Sequence, residues 1–358
     1  MTNELHQPDE NTGTMDVLER HLFDVSRLQE YMREHVAGFD GDITVEEFKG
    51  GQSNPTYKVI TPNKSYVLRR KPPGKLLKSA HAVDREYKVI TALNKTDVPV
   101  PVSYALCEDD EVIGTSFYIM EFKDGRVLWD PAMENSPKEE AKGVYESMNE
   151  TMAKLHLVNP SDIGLEDFGK PGNYVGRQVS RWSKQYIDSE TENIESMNNL
   201  IDWLPKNLPS EKQTGIVHGD YRLDNVRVNK NRVSAVLDWE LCTLGDPLAD
   251  LGTVIASWND QTEKDSPFVY SPTLSNGFPS RKDIVEYYSN SSSLDLRNIE
   301  FYTRLSFWKH AMIMEGVFVR YSLGSYGKVN ENEIESFKNS TIMFAKKAAS
   351  KNLLEEIT

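Results

Sequence analysis

Cysteine is scarce, with only Cys107 and Cys242 in 358 residues. Two thiols so far apart form neither a disulfide framework nor a zinc site, and both read as packing residues. Long apolar runs are missing as well. No stretch approaches the roughly 20 apolar residues of a membrane span. Met1 to Met15 is polar and acidic, without the basic start and apolar core of a secretory signal or the basic character of a mitochondrial one. A cytoplasmic chain that engages no membrane is expected. Positive charge is also short: 41 Lys and Arg against 55 Asp and Glu give a net charge of −14. That balance argues against a nucleic-acid partner, which calls for a basic footprint. It is compatible with a cationic ligand, although solubility is the simpler account. Neither G-x-G-x-x-G nor G-x-x-x-x-G-K-[ST] is found in the candidate phosphate-binding region, so the dinucleotide and P-loop readings lose their fingerprints. No repeat or low-complexity tract is apparent.

The length calls for about two domains. We expect residues 1–15 to be a disordered tail, 16–122 a first lobe and 123–358 a second. Apolar residues at helical spacing from Asp16 to Val36 predict an amphipathic helix. Ile43–Lys49 and Thr56–Thr61 read as strands joined by Gly50, Gly51, Gln52, Ser53 and Asn54. Glycines and small polar residues there let backbone N–H groups approach phosphate oxygens, although a Gly-Gly turn also suits an ordinary hairpin. A third strand, Tyr66–Arg70, alternates faces, so Val67 and Arg69 share a side. Val67 can line an adenine while Arg69 reaches phosphates; Arg70 and Lys71 are expected in solvent. On the helix Ala80–Asn94, Glu86 falls within the stripe of Val83, Tyr87 and Ile90 and needs a cation partner, for which Arg69 is the candidate. The basic stretch Lys71–Lys78 is broken by Pro72 and Pro73 and reads as a loop or lid near the phosphates. After a hairpin over Ser103–Phe122, Met120, Glu121, Phe122 and Lys123 form the crossing to the second lobe. Backbone groups there are expected to face an adenine edge, since ligand sites favour domain boundaries.

The stretch around which the chain is organised is Ile216-Val217-His218-Gly219-Asp220-Tyr221-Arg222-Leu223-Asp224-Asn225. Phosphoryl transfer needs an acceptor hydroxyl held in line, a carboxylate to take its proton, and metal to neutralise phosphate charge. Asp220 and Asn225 have the spacing of the base and metal-binding Asn in a kinase catalytic loop. A hairpin turning at Asn231 and Arg232 would set Val226 opposite Leu237 and Asn225 opposite Asp238, roughly 4.5 to 5.5 Å apart at Cβ. An amide oxygen and a carboxylate so placed suit Mg²⁺. His218 is expected to brace the loop, and His156 to be a hydrogen-bonded structural residue. Only seven residues separate Asp238 from Asp246. That leaves no long activation segment for a peptide, which favours a small-molecule acceptor over a protein. The helices at Tyr174–Ile187 and Asn193–Asn207 are where an acceptor pocket is expected.

Taken together, these residues resemble the aminoglycoside phosphotransferase superfamily of small-molecule kinases. His-Gly-Asp at 218–220 and Asp-Trp-Glu at 238–240 separate the chain from protein kinases. More narrowly, Tyr66 to Leu77 and Ser79 to Tyr87, with the Gly176 to Trp182 run, are similar to the kinase-like domain that some eukaryotic proteins carry fused to an acyl-CoA dehydrogenase; no dehydrogenase module is expected within these residues. The resemblance implies an α+β, two-lobed protein-kinase-like fold with an antiparallel-sheet N-lobe and a mainly helical C-lobe. It further implies MgATP or MgGTP as donor and a small hydroxylated acceptor. A hydroxyacyl-CoA or hydroxy fatty acid ranks first among acceptors, with an aminoglycoside or choline-like acceptor as the alternative. A nucleotide-binding regulator without catalysis is the competing class. The oligomeric state is not legible.

Overall fold

The computed structural model describes residues 12–50, 54–74, 81–133, 136–170, 172–210, 213–258, 278–323, 331–351 and 353. Gly51, Gln52 and Ser53 of the candidate phosphate turn, and residues 75–78 of the basic loop, lie outside them. The strands are β1 (Thr14–Met15), β2 (Thr44–Phe48), β3 (Thr56–Ile60), β4 (Ser65–Arg70), β5 (Ser103–Cys107), β6 (Phe117–Glu121), β7 (Arg126–Val127), β8 (Gly215–Val217), β9 (Val226–Asn229), β10 (Arg232–Val236) and β11 (Thr243–Gly245). The helices are α1 (Val25–His35), α2 (Val83–Leu93), α3 (Asp110–Ile113), α4 (Lys138–Leu157), α5 (Tyr174–Ser189), α6 (Glu195–Trp203), α7 (Leu248–Ala256), α8 (Arg281–Ser291), α9 (Ile299–Ser322) and α10 (Glu331–Ala349). Two compact units result. One runs to Asp130 and takes in Ile163–Leu165 and Leu223–Cys242; the other holds Pro131–Asp162, Glu166–Arg222 and the chain from Thr243 onward.

The first unit is built on a six-stranded sheet in the order β1-β2-β3-β4-β6-β5, every pairing antiparallel. Period-two alternation sorts its faces. Tyr57, Val59, Tyr66, Leu68, Phe117 and Ile119 pack with Leu28 and Met32 of α1 into one core. The opposite parity carries Val67, Arg69, Tyr118 and Met120, with Arg69 directly across from Tyr118 and Val67 across from Met120. Thr14 and Met15, assigned to the tail by composition, pair with Phe48 and Glu47 at the sheet edge. The predicted helix from Asp16 begins only at Val25, where the Asp24 side chain accepts from the amides of Ser26 and Arg27. Within the expected hairpin over Ser103–Phe122, α3 stands between β5 and β6.

Arg70 corrects another expectation. It shares parity with Tyr66 and Leu68, so it enters the core face and is only 2% exposed. Its guanidinium donates to the carbonyls of Ile113 and His21 and lies 5.1 Å from the Phe23 ring centroid. Alternation decides the face, and nearby loop carbonyls satisfy the charge that the face would otherwise reject. Lys71, by contrast, stays partly exposed, 3.8 Å from Asp84.

The second unit is mainly helical, with β8 and β11 as an antiparallel pair. Trp258, Trp308 and Tyr302 fill its interior. The α7 helix follows Gly245-Asp246-Pro247; Asp246 accepts from the Leu248 amide and from the Tyr302 hydroxyl, so its carboxylate satisfies one of the free amides at the helix start. Among the described residues, no helix is long and apolar enough to cross a membrane.

Candidate active site

In the first unit the charged groups converge on Arg69. Its Nε lies 2.9 Å from Glu86 Oε2 and its Nη2 donates to Asp238 Oδ1 at 2.7 Å. The Nε contact is an ion pair without hydrogen-bond alignment. Glu86, fully buried, also accepts from Asn54 Nδ2 at 3.0 Å and from the Tyr118 hydroxyl at 3.0 Å. Burial pushes its carboxyl above the usual range, Arg69 opposes that, and neighbouring Asp238 and Glu240 add to it. The expected Arg69 and Glu86 pair is therefore present, and Arg69 extends it to Asp238.

Asn54, expected at a phosphate-cradling turn, directs its side chain inward. It accepts from His81 Nδ1 at 3.0 Å and donates to Glu86, with Glu240 Oε2 a further 3.5 Å contact. Gly50 is half-buried. Val67 and Met120 are both 7% exposed. At the end of β6 the Glu121 N–H already bonds the Val102 carbonyl, and its carboxylate accepts from Lys123 Nζ at 2.9 Å. Phe122 stacks on Phe48, with Lys58 and Arg227 4.7 and 4.8 Å from its centroid.

The hairpin that carries Asn225 and Asp238 departs from its predicted register. Asn229 faces Arg232 and Val226 faces Val236, because the turn falls at Lys230 and Asn231 and a bulge intervenes between Val233 and Ala235. Asn225 is thereby opposite Leu237, whose amide donates to the Asn225 carbonyl at 2.8 Å. Asp238 follows just outside the ladder in the left-handed region at φ 58°. Carboxylate oxygens of Glu86, Asp238 and Glu240 lie within 4.8 Å of one another. Glu86 is tied to Arg69, Asn54 and Tyr118. The Asp238 and Glu240 side chains remain about 30% exposed. Asp238 and Glu240 thus offer carboxylate oxygens, the donors that a hard divalent cation takes.

The His-Gly-Asp loop belongs to the second unit and hangs on Asp250. The Asp250 carboxylate accepts from the amides of His218 at 2.7 Å and Gly219 at 2.9 Å, with His156 Nε2 at 3.3 Å. His156 in turn meets the Tyr288 hydroxyl at 2.6 Å, the structural role expected of it. Burial pushes the Asp250 carboxyl up, but hydrogen bonding and charge from His156, with His218 and the Gly219 amide, hold it below the usual range. Gly219 sits at φ 87°, which only glycine adopts readily. His218 is fully buried and its Nδ1 accepts from the Asp220 amide at 3.3 Å. Asp220 itself is half-exposed, with Arg222 Nε 3.6 Å from its carboxylate. Tyr221 anchors the loop from below by donating to the Met148 carbonyl.

Sequence reading missed Asp250, Tyr118, His81 and Glu240. Tyr118 was detectable from strand parity, and Glu240 from its place two residues after Asp238. Asp250 offered no local signal, since its partners lie about 31 and 94 residues away.

The phosphotransferase enzyme family model matches residues 44–269, and the chain belongs to that family. Acyl-CoA dehydrogenase family member 11 of Homo sapiens is 38% identical over 328 residues, covering 88% of this chain and 42% of that protein. The chain therefore spans less than half the length of that relative. A crystal structure from Ralstonia eutropha assigned to the aminoglycoside phosphotransferases is 41% identical, with a TM-score of 0.81 over 92% of this chain and 98% of that one. Spectinomycin phosphotransferase APH(9)-Ia, solved with ADP and spectinomycin, is 14% identical with a TM-score of 0.59, over 91% of this chain and 98% of that one; at that identity it supports the fold alone. The fold is the protein-kinase-like α+β architecture expected.

Proposed function

We propose that the chain is a small-molecule kinase transferring the γ-phosphate of ATP to a hydroxyl of an acyl metabolite, a hydroxy acid or its CoA thioester. The observation that carries this reading is the Arg69, Glu86 and Asp238 network. A buried cation is fixed by one carboxylate and shared with a second, half-exposed one, which is the arrangement needed to hold triphosphate and metal together. Asn225 and Asp238 would hold Mg²⁺, with Glu240 beside them. When bound, the ion would neutralise charge on the transferring phosphate.

The residues of the chain do the rest. Asp220 orients the acceptor hydroxyl and takes its proton, and His218 and Asp250 set the loop that presents it. Arg69 binds phosphate oxygens, and Val67 and Met120 bound the adenine, with main-chain groups of Phe122 and Lys123 at its edge. Family membership and the similarity to an acyl-CoA dehydrogenase family member support this assignment. The reading is tested by ADP release from MgATP across hydroxy acids, hydroxyacyl-CoAs, aminoglycosides and choline, with Asp220→Asn as the blank. Release that depends on Asp220 with the acyl class supports it. MgATP binding without release for any acceptor would favour the regulator reading.

A further inference from the structure

Two helical stripes in the second unit face one cavity. From α5 come Tyr174, Gln178 and Trp182, spaced by four; from α9 come Tyr302, Leu305, Ser306 and Lys309, spaced by three and four. Gly219 of the His-Gly-Asp loop and Asp250 also line it. The cavity holds about 40 Å³. That is room for a functional group of a few atoms, far below the roughly 300 Å³ at which pockets begin to enclose a whole ligand.

Two of its donors find no partner among the described residues. The Lys309 ammonium makes no hydrogen bond or ion pair among the described residues and lies 5.7 Å from the Trp182 ring centroid. The Trp182 Nε1 donor is buried and has no hydrogen-bond partner among the described residues. The carboxylate in the lining, Asp250, is already taken by two amides and His156. Burial pushes the Lys309 ammonium down, partly countered by Asp220 and Asp250 and reinforced by Arg181. A half-buried cation beside an unpaired indole N–H calls for an oxygen acceptor from outside the chain.

We propose that Lys309, with Trp182 and Gln178, is a specificity-determining pocket for an acyl oxygen of the acceptor, a carboxylate or a thioester carbonyl, and that it rejects cationic acceptors. The inference rests on the kinase reading for its place in catalysis. Its recognition chemistry stands apart from that reading and can be measured without turnover.

The test uses 2-, 3- and 4-hydroxybutanoate, their CoA thioesters, 1,3-butanediol and choline as acceptors with MgATP, on wild type and on Lys309→Met and Lys309→Gln. At least one acid or thioester should be used, with the two arms identifying the source of the oxygen. Its KM should rise roughly 10- to 100-fold in both variants, the scale of a lost charge-assisted hydrogen bond, with kcat changed far less. Diol and choline should be poor in wild type and not worsen in the variants. An unchanged KM for the acyl acceptor would overturn the proposal, as would wild type using choline or diol as well as the acid. If wild type releases no ADP with any acceptor, quenching of tryptophan fluorescence by the same acids and thioesters decides. Binding lost in Lys309→Met keeps the pocket and sinks the kinase reading; no binding to wild type sinks the pocket. Should both variants fail to fold, wild type alone separates the outcomes: preference for the acid over the diol supports the pocket, and equal use of the two overturns it.

Discussion

Replacing Asp250 by Ala should destabilise the helical unit and displace the His-Gly-Asp loop in one step. The carboxylate accepts two main-chain N–H groups at 2.7 and 2.9 Å and faces His156 at 3.3 Å, with only 1% of the residue exposed. Each buried donor left without a partner costs about 1 to 3 kcal/mol. Three such losses give about 3 to 6 kcal/mol after partial relaxation, a large share of the roughly 5 to 15 kcal/mol that holds a typical domain. Asp250→Asn keeps one accepting oxygen but turns an NH₂ toward the other donors, so about half that loss is expected. The carboxyl is held below its usual range in the folded state. The unfolded chain therefore takes up the proton first. The Asp250 contribution is complete above the ordinary Asp value of about 4 and disappears as pH falls through the lower folded value. Urea denaturation from pH 7 to pH 3 should show this as an acid limb that Asp250→Asn flattens, while hydrogen exchange at His218 and Gly219 speeds up. A variant with the wild-type midpoint and unchanged protection at those two amides would refute the reasoning.

Asp220→Asn should lower turnover by roughly 10²- to 10⁴-fold, the usual contribution of a general base, while nucleotide affinity by equilibrium binding stays near wild type; an active variant removes Asp220 from the mechanism. Asp238→Asn should raise the Mg²⁺ concentration needed for half-maximal rate by at least about tenfold, because a carboxylate binds the hard cation far better than an amide; an unmoved Mg²⁺ titration places the metal elsewhere. Arg70→Met should cost about 2 to 4 kcal/mol in chemical denaturation, since a buried and a part-buried carbonyl lose a charged donor, and wild-type stability would show that those bonds contribute nothing net.

Much of this arrangement was legible in the sequence, for reasons that differ by residue. Glu86 announced itself because a carboxylate in an apolar helical stripe demands a cation, and strand parity supplied Arg69. The loop drew notice through the spacing of Asp220 and Asn225, and the bracing expected of His218 is seen in its contact with the Asp220 amide. Arg70 was misplaced because charge was weighed above parity; the carbonyls that satisfy it come from His21 and Ile113, 49 and 43 residues away. The hairpin register slipped because a bulge leaves no unambiguous mark in Val-Ser-Ala. Its consequence is chemical: Asp238 leaves the ladder and turns left-handed, which frees its carboxylate for Arg69. Asp250 stayed hidden because nothing near it in sequence states that three distant donors converge there.

Arg69 itself poses a sharper question, because a strand lysine does the corresponding work in protein kinases. A lysine offers one ammonium, whereas the guanidinium spans three neighbours: Nε toward Glu86 at 2.9 Å, Nη2 to Asp238 at 2.7 Å and Nη1 to the Thr56 hydroxyl at 3.4 Å. Arg69→Lys keeps the charge and removes the fork. If charge alone positions the triphosphate, the lysine variant should match wild type in nucleotide KM. If the fork matters, the ammonium can satisfy Glu86 or reach Asp238 but cannot hold both, and nucleotide KM should rise about tenfold, a loss on the scale of one charge-assisted hydrogen bond. Arg69→Met should then be worse, because it strands Glu86 in a site where burial already opposes its charge. Steady-state kinetics on the two variants separate the cases. Equal KM in wild type and Arg69→Lys would reduce the guanidinium to a point charge and leave Asp238 independent of it.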